Sequence, residues 1–202
     1  MLAGLIGLTA LIVAAMALSV AARDTPPAFI GTDMGGDPAP NFALANQFGD
    51  KIKLSEQRGK VVVLTFLYTH CPDVCPLTAA RLRQVHAQLG ADAADVTFLA
   101  VSVDPEGDTA LAATEFSERF GMLERWSYLI GTREELEPIW KAYYVGVLPD
   151  TDHAEHADQV MHNAPIYLID RDGRRRVVHT TGGATDAIID EVLHDIRQLL
   201  DT

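Results

Sequence analysis

Positive charge is scarce in this 202-residue chain: 16 Lys and Arg face 28 Asp and Glu, for a net charge of −12. The shortage excludes the basic footprint that nucleic acid binding needs. It equally excludes a basic surface held against anionic lipid. Cysteine is scarcer still, with two in the chain. There is no internal repeat and no low-complexity tract. The first 22 residues lack charge altogether, Arg23 being the earliest charged side chain. What is present is a normal apolar share, 48% of residues, enough to fill the core of one domain.

Both cysteines fall within Tyr68-Thr69-His70-Cys71-Pro72-Asp73-Val74-Cys75-Pro76. The preceding run, Val61-Val62-Val63-Leu64-Thr65-Phe66-Leu67, is apolar and rich in β-branched residues, as in a strand buried inside a parallel sheet. Residues before proline avoid the helical region, so Cys71 and Cys75 are each biased toward extended backbone. Pro76 suits a first helical position, where its missing N–H costs nothing. The spacing therefore predicts a tight loop from Cys71 to Cys75, with a helix opening at Pro76 and Cys75 as its N-cap. Leu82, Val85 and Leu89 would form its buried face. Thiols at a helix N-terminus feel the positive end of the dipole, which favours thiolates. This spacing can bring two sulfurs together for a disulfide or for one shared metal ion. A plain disulfide staple is disfavoured, because closing so short a loop removes little chain entropy. A redox pair and a soft-metal site remain open. Thiolates select Cu(I), zinc or iron–sulfur clusters.

Residues 1–22 are long and apolar enough to cross a bilayer as a helix. A cleaved signal peptide ending near Ser19-Val20-Ala21 competes with an uncleaved signal anchor. The anchor is the expectation, since the run exceeds a usual signal core, although no basic segment precedes it. Either way the remainder would work outside the cytoplasm, where thiols tend to oxidise. Residues 23–41 read as a linker, and residues 42–202 as the domain. Within it the pattern gives a hairpin over 42–54, strands over 61–68 and 96–103, and a helix over 108–120 capped by Asp108. A short strand over 126–130 follows. Next comes a helix over 133–144, with Thr132 and Glu135 forming a capping box. A polar loop covers 145–159, a strand 160–170 and its hairpin partner 174–180, and a helix over 184–200 closes the chain. Early βαβ crossovers followed by an antiparallel hairpin imply a mixed sheet covered by helices. With a dithiol at the first strand-to-helix turn, the pattern resembles the thioredoxin fold in its peroxiredoxin-like form.

The Cys71-Pro72-Asp73-Val74-Cys75-Pro76 segment, preceded by Tyr68-Thr69-His70, resembles the copper motif of the Sco/SenC family. Val103-Asp104-Pro105-Glu106 with Asp108-Thr109 agrees with that resemblance, as does Ile130-Gly131-Thr132-Arg133-Glu134-Glu135. So does His162, placed ahead of Ile166-Tyr167-Leu168-Ile169-Asp170 and Gly173. The resemblance implies a membrane-anchored copper metallochaperone, not a turnover enzyme. Copper, as Cu(I) or Cu(II), would bind Cys71, Cys75 and His162 for delivery to the dinuclear copper site of cytochrome c oxidase. Implied partners are the copper-bearing oxidase subunit, other copper chaperones and thioredoxin-like reductants. The implied location is the inner membrane, single-pass, with the soluble domain on the periplasmic side. Two thiolates and an imidazole form a trigonal set that suits Cu(I) and also holds Cu(II).

Two positions depart from the family pattern. Met161 stands where members often carry an acidic residue, and a thioether cannot orient an imidazole as a carboxylate does. Pro165 resembles the cis-proline of thiol-redox enzymes. A thiol–disulfide reductase acting through the Cys71–Cys75 pair, which would form a disulfide when oxidised, is the alternative function; it needs no His162. A peroxiredoxin-type peroxidase is disfavoured, because the upstream proline and threonine of that pocket are missing. His70 is expected to point to the opposite face from Cys71. His153 and His156 sit in an acidic stretch read as a solvated loop. His86, His179 and His194 read as surface residues. Asp73 reads as a turn residue, and Asp104 as either a second layer behind the cysteines or a turn cap.

Overall fold

The computed structural model describes residues 29–149, 160–162, 164–180 and 187–202. Its centre is β4 (Val61–Leu67), in which all seven side chains are buried. Apolar residues on both faces suit a strand covered on both sides. The one polar side chain in it, Thr65, donates its hydroxyl to the Pro165 carbonyl at 3.1 Å, so nothing polar is buried unpaired there.

Around β4 the other elements are β1 (Thr32–Asp33), β2 (Ala43–Asn46), β3 (Lys51–Lys53), β5 (Val96–Ser102), β6 (Ser127–Ile130), β7 (Val147–Pro149), β8 (Val160–His162), β9 (Pro165–Ile169) and β10 (Arg175–Thr180). Among the described residues the α-helices are α1 (Val74–Leu89), α2 (Ala110–Arg119), α3 (Arg133–Ala142) and α4 (Ala187–Leu200). The main sheet runs β1-β10-β9-β4-β5-β6-β2-β3, and β7-β8 form a separate pair. Strands β4, β5 and β6 are parallel, and β9 lies antiparallel on the other side of β4. The result is a mixed sheet flanked by helices, of the thioredoxin-like kind that the element order implied.

Several boundaries differ from expectation, each for a physical reason. Helix α1 begins at Val74 with Asp73 as N-cap, so Cys75 lies in its first turn. Pro76 is still tolerated there, because the first N–H groups of a helix have no intrahelical partner. Helix α2 is capped by Thr109, whose hydroxyl accepts from the Ala112 N–H at 3.1 Å. Asp108 is thereby released to turn inward. Thr32 and Asp33, expected in the linker, pair with β10 as an edge strand. The stretch expected as one strand over 160–170 is two, β8 and β9, in different sheets. Part of the expected polar loop is β7, paired with β8. The capping box at Thr132 and Glu135 is present as expected. So is the buried stripe of Leu82, Val85 and Leu89 on α1.

His179, expected at the surface, is buried. The reason is that β10 turns this residue toward α4, where Asp195 is also fully buried. Asp195 accepts hydrogen bonds from the Ile30 and Gly31 N–H groups, each at 2.9 Å, and lies 3.0 Å from His179 Nε2. This cluster ties the segment entering the domain to the last helix. Burial pushes the His179 imidazole below its ordinary pKa, against the opposing pull of Asp195 and Glu191. No helix among the described residues is long and apolar enough to cross a membrane. The segment expected as the anchor, residues 1–22, lies outside the described residues.

Candidate metal centre

The cysteine loop leaves the carboxyl end of β4 and enters α1, at the edge where ligands bind in open α/β sheets. Both cysteines are buried, and no disulfide joins them. Cys71 N–H donates to the Tyr68 carbonyl at 3.4 Å, which closes the turn after the strand. The two sulfurs are close enough to share a proton. The Cys75 S–H donates to Cys71, and this bond is the main reason that the Cys71 thiol is lowered to about 5. Burial opposes the shift, while the backbone N–H groups of Asp73 and Cys75 and the Tyr68 side chain assist it. Cys75 is pushed up by the same bond, by burial and by the charge on Cys71. The pair therefore holds one proton, with the thiolate on the sulfur nearer the surface. The helix N-terminus was expected to favour thiolates on both; the protein makes one thiolate and one donor.

A second layer holds the loop. Asp108 Oδ1 accepts from the Thr69 N–H at 2.8 Å, while Oδ2 accepts from the Ser102 hydroxyl at 2.6 Å and the Tyr128 hydroxyl at 3.0 Å. One carboxylate thus joins the cysteine loop to β5 and β6. Burial raises its pKa, against the lowering effect of these bonds. Sequence reasoning missed this role and assigned Asp108 to a helix cap. The adjacent Thr109, an equally good cap, was the available signal. Asp104 does cap its turn, Oδ1 accepting from the Gly107 N–H at 3.1 Å, and it also lies beside the loop.

His70 is exposed and stands with Asp104 and Asp108, their possible ligand atoms lying within 4.8 Å of one another. It was expected on the opposite face. Alternation fails because β4 ends at Leu67, and the turn from Tyr68 to Cys71 reorients the chain. Thr69, His70 and Cys71 open onto a cavity of about 280 Å³, completed by Ala112, Glu115, Phe116 and Arg119. Asp73 is exposed, as a turn residue would be. His86 is half-buried and His194 exposed.

For His162 the backbone alone is described. It is the last residue of β8 and pairs with Val147. Strand β9 begins three residues later, and its first half pairs with the carboxyl half of β4 through Ile166↔Thr65 and Tyr167↔Leu64. The antiparallel register therefore brings the chain into β9 from the sheet edge where β4 releases the cysteine loop. No cis peptide bond occurs among the described residues, so Pro165 does not have the cis form considered for it. His153 and His156 lie outside the described residues.

The SCO1/SenC family model matches residues 32–201. The chain belongs to the SCO1/SenC family. Among relatives, it is 27% identical over 158 residues to the SCO1 protein homolog of Bacillus subtilis, covering 77% of this chain and 79% of that one. It is 32% identical over 146 residues to the mitochondrial SCO1 homolog of Homo sapiens, covering 71% of this chain and 47% of the human protein. Among solved structures, a SCO1/SenC family lipoprotein from Bacillus anthracis superposes with a TM-score of 0.72 at 25% identity, covering 86% of this chain and 99% of that one. ScoI of Bradyrhizobium japonicum, solved with copper bound, gives a TM-score of 0.68 at 29% identity, covering 80% of this chain and 99% of that one. The resemblance drawn from the cysteine motif thus extends over residues 32–201.

Proposed function

We propose that this SCO1/SenC protein is a copper carrier that holds one copper ion through Cys71, Cys75 and His162. It would surrender the ion by ligand exchange to the copper-bearing subunit of cytochrome c oxidase. The observation that supports this most is the dithiol itself. A buried thiolate stands beside a thiol that needs to lose only one proton to complete a pair of soft donors, in a family with a solved copper-bound relative. The approach of β9 to the loop supports His162 as the third donor. Anchoring by residues 1–22 would hold the domain at the outer face of the inner membrane, beside its recipient. In this reading the protein is stoichiometric: copper leaves when competing ligands replace its own, and no bond in a substrate is broken.

Copper binding by the full-length protein tests the proposal. One equivalent is expected, with thiolate-to-copper charge transfer. Cys71→Ser and Cys75→Ser should abolish that band, and His162→Ala should weaken binding. Stoichiometric copper at unchanged affinity in His162→Ala would remove His162 from the site. Should that variant also reduce a protein disulfide at the wild-type rate, the thiol–disulfide reductase reading would take its place, because attack and resolution need only the two cysteines.

A further inference from the structure

Helix α3 ends on a residue that breaks the usual rule for its position. The Val145 N–H donates to the Trp140 carbonyl at 2.8 Å, and the Tyr144 N–H to the Lys141 carbonyl at 3.2 Å. This nested pair is the Schellman closure of a helix, in which the left-handed residue is usually glycine. Here it is Tyr144, with φ of 55°, the only non-glycine residue of positive φ among the described residues. A bulky side chain in that region strains the backbone. Tyr144 is 72% exposed, so core burial does not offset the strain. Such strain persists only where the surroundings enforce it, and it concentrates at functional positions.

Arg175, the first residue of β10, supplies the enforcement. Its guanidinium lies 6.0 Å from the Tyr144 ring centroid and 5.9 Å from that of Tyr143. Its Nη1 also donates to the Ala142 carbonyl at 3.4 Å, at the negative end of α3. The Arg175 backbone is itself fixed, pairing with Ile169 and donating its N–H to the Asp37 carbonyl at 2.8 Å. A post in the main sheet therefore grips the turn where the chain leaves α3. Three residues on, Val147 opens β7 and pairs with His162. Among the described residues, β7 and β8 pair only with each other and not with the main sheet. Sheet hydrogen bonds thus leave the placement of this pair open. Its two attachments set it: the Tyr144 turn and the entry into β9.

We propose that Tyr144, stacked on Arg175, is a positioning residue that fixes the direction in which the chain enters β7, and so where β8 presents His162. Glycine would close the helix equally well but would leave the exit free to swing. The purpose of this hold rests on the copper-carrier reading, in which His162 is the third donor; the hold itself does not.

The test compares full-length wild type with Tyr144→Gly, Tyr144→Phe and His162→Ala. Glycine is the favoured residue at this helix end, so Tyr144→Gly keeps the fold, and its thermal midpoint should equal or exceed that of wild type. Amide hydrogen exchange at Val147, Leu148 and Val160–His162 should nonetheless be several-fold faster, with exchange in β4 and β5 no faster. Copper titration should show the thiolate-to-copper band retained and the affinity weakened by roughly tenfold or more, toward that of His162→Ala, as losing a residue that orients a ligand does. Tyr144→Phe keeps the ring on Arg175 and should match wild type in all three measurements. A lowered thermal midpoint in Tyr144→Gly, or unchanged exchange in β7 and β8, would make Tyr144 merely structural and overturns the proposal. Wild-type copper affinity in Tyr144→Gly beside weakened binding in His162→Ala overturns it too, and leaves the copper-carrier reading standing. Unchanged affinity in His162→Ala instead removes His162 as a donor, and the exchange measurement still decides whether Tyr144 holds β7 and β8.

Discussion

Replacing Cys75 with alanine removes the donor that keeps Cys71 ionised. The Cys71 thiol sits at about 5 rather than the ordinary 9.0. At neutral pH that shift puts the single negative charge of the pair mainly on Cys71. The Cys75 S–H is the largest cause of the shift, and burial already works in the opposite direction. In Cys75→Ala only the Asp73 and residue-75 N–H groups and the Tyr68 side chain remain to offset burial, so the Cys71 midpoint should rise above about 7. Alkylation rate at one pH is a poor readout, because a more basic thiolate is also a better nucleophile. The midpoint of the full pH–rate profile with iodoacetamide, on metal-free reduced protein, is the quantity to measure. Cys75→Ser keeps a hydroxyl donor and should fall between the two. A midpoint near 5 in Cys75→Ala would refute the reasoning and locate the stabilisation in the loop backbone instead.

Phe66→Ala should cost about 3–5 kcal/mol in urea denaturation, since Phe66 is fully buried against Tyr143 and Tyr167 with centroids 5.7 and 6.4 Å away. Thr132→Ala removes the capping box of α3 and should cost about 1 kcal/mol by the same measurement. His179 has a folded pKa below its ordinary 6.5, so the stability that it contributes is complete above that value and lost as pH falls through the lowered one. Unfolding measured from about pH 7.5 down to about pH 5 should therefore lose stability more steeply in the wild type than in His179→Gln. Equal slopes would show that His179 is not buried in its neutral form.

Much of this was legible in the sequence because local and tertiary signals agreed. The run of β4, apolar but for Thr65, reads as a doubly covered strand, and Cys71 at its end reads as a loop residue, whereas Cys75, expected in the same loop, falls in the first turn of α1. The capping box at Thr132 was readable for the same reason, since its partner lies three residues away. What escaped depends on long-range geometry. Asp108 and Thr109 are both good caps, and only the distant Ser102 and Tyr128 decide that Asp108 goes inward. His179 carries no local sign of burial, because its partner Asp195 is on another element. The break between β8 and β9 was missed because the pattern through His162 and Pro165 is apolar on both sides, so periodicity alone could not show a change of sheet. His70 was misplaced by extending strand alternation past the end of β4.

The central claim is that two sulfurs and one distant imidazole meet on one copper ion. X-ray absorption at the copper edge, on the full-length protein loaded with one equivalent, tests it most directly. The account predicts a first shell of two sulfurs and one nitrogen, the nitrogen lost or replaced in His162→Ala. A shell without two sulfurs, or one that His162→Ala leaves unchanged, would contradict it.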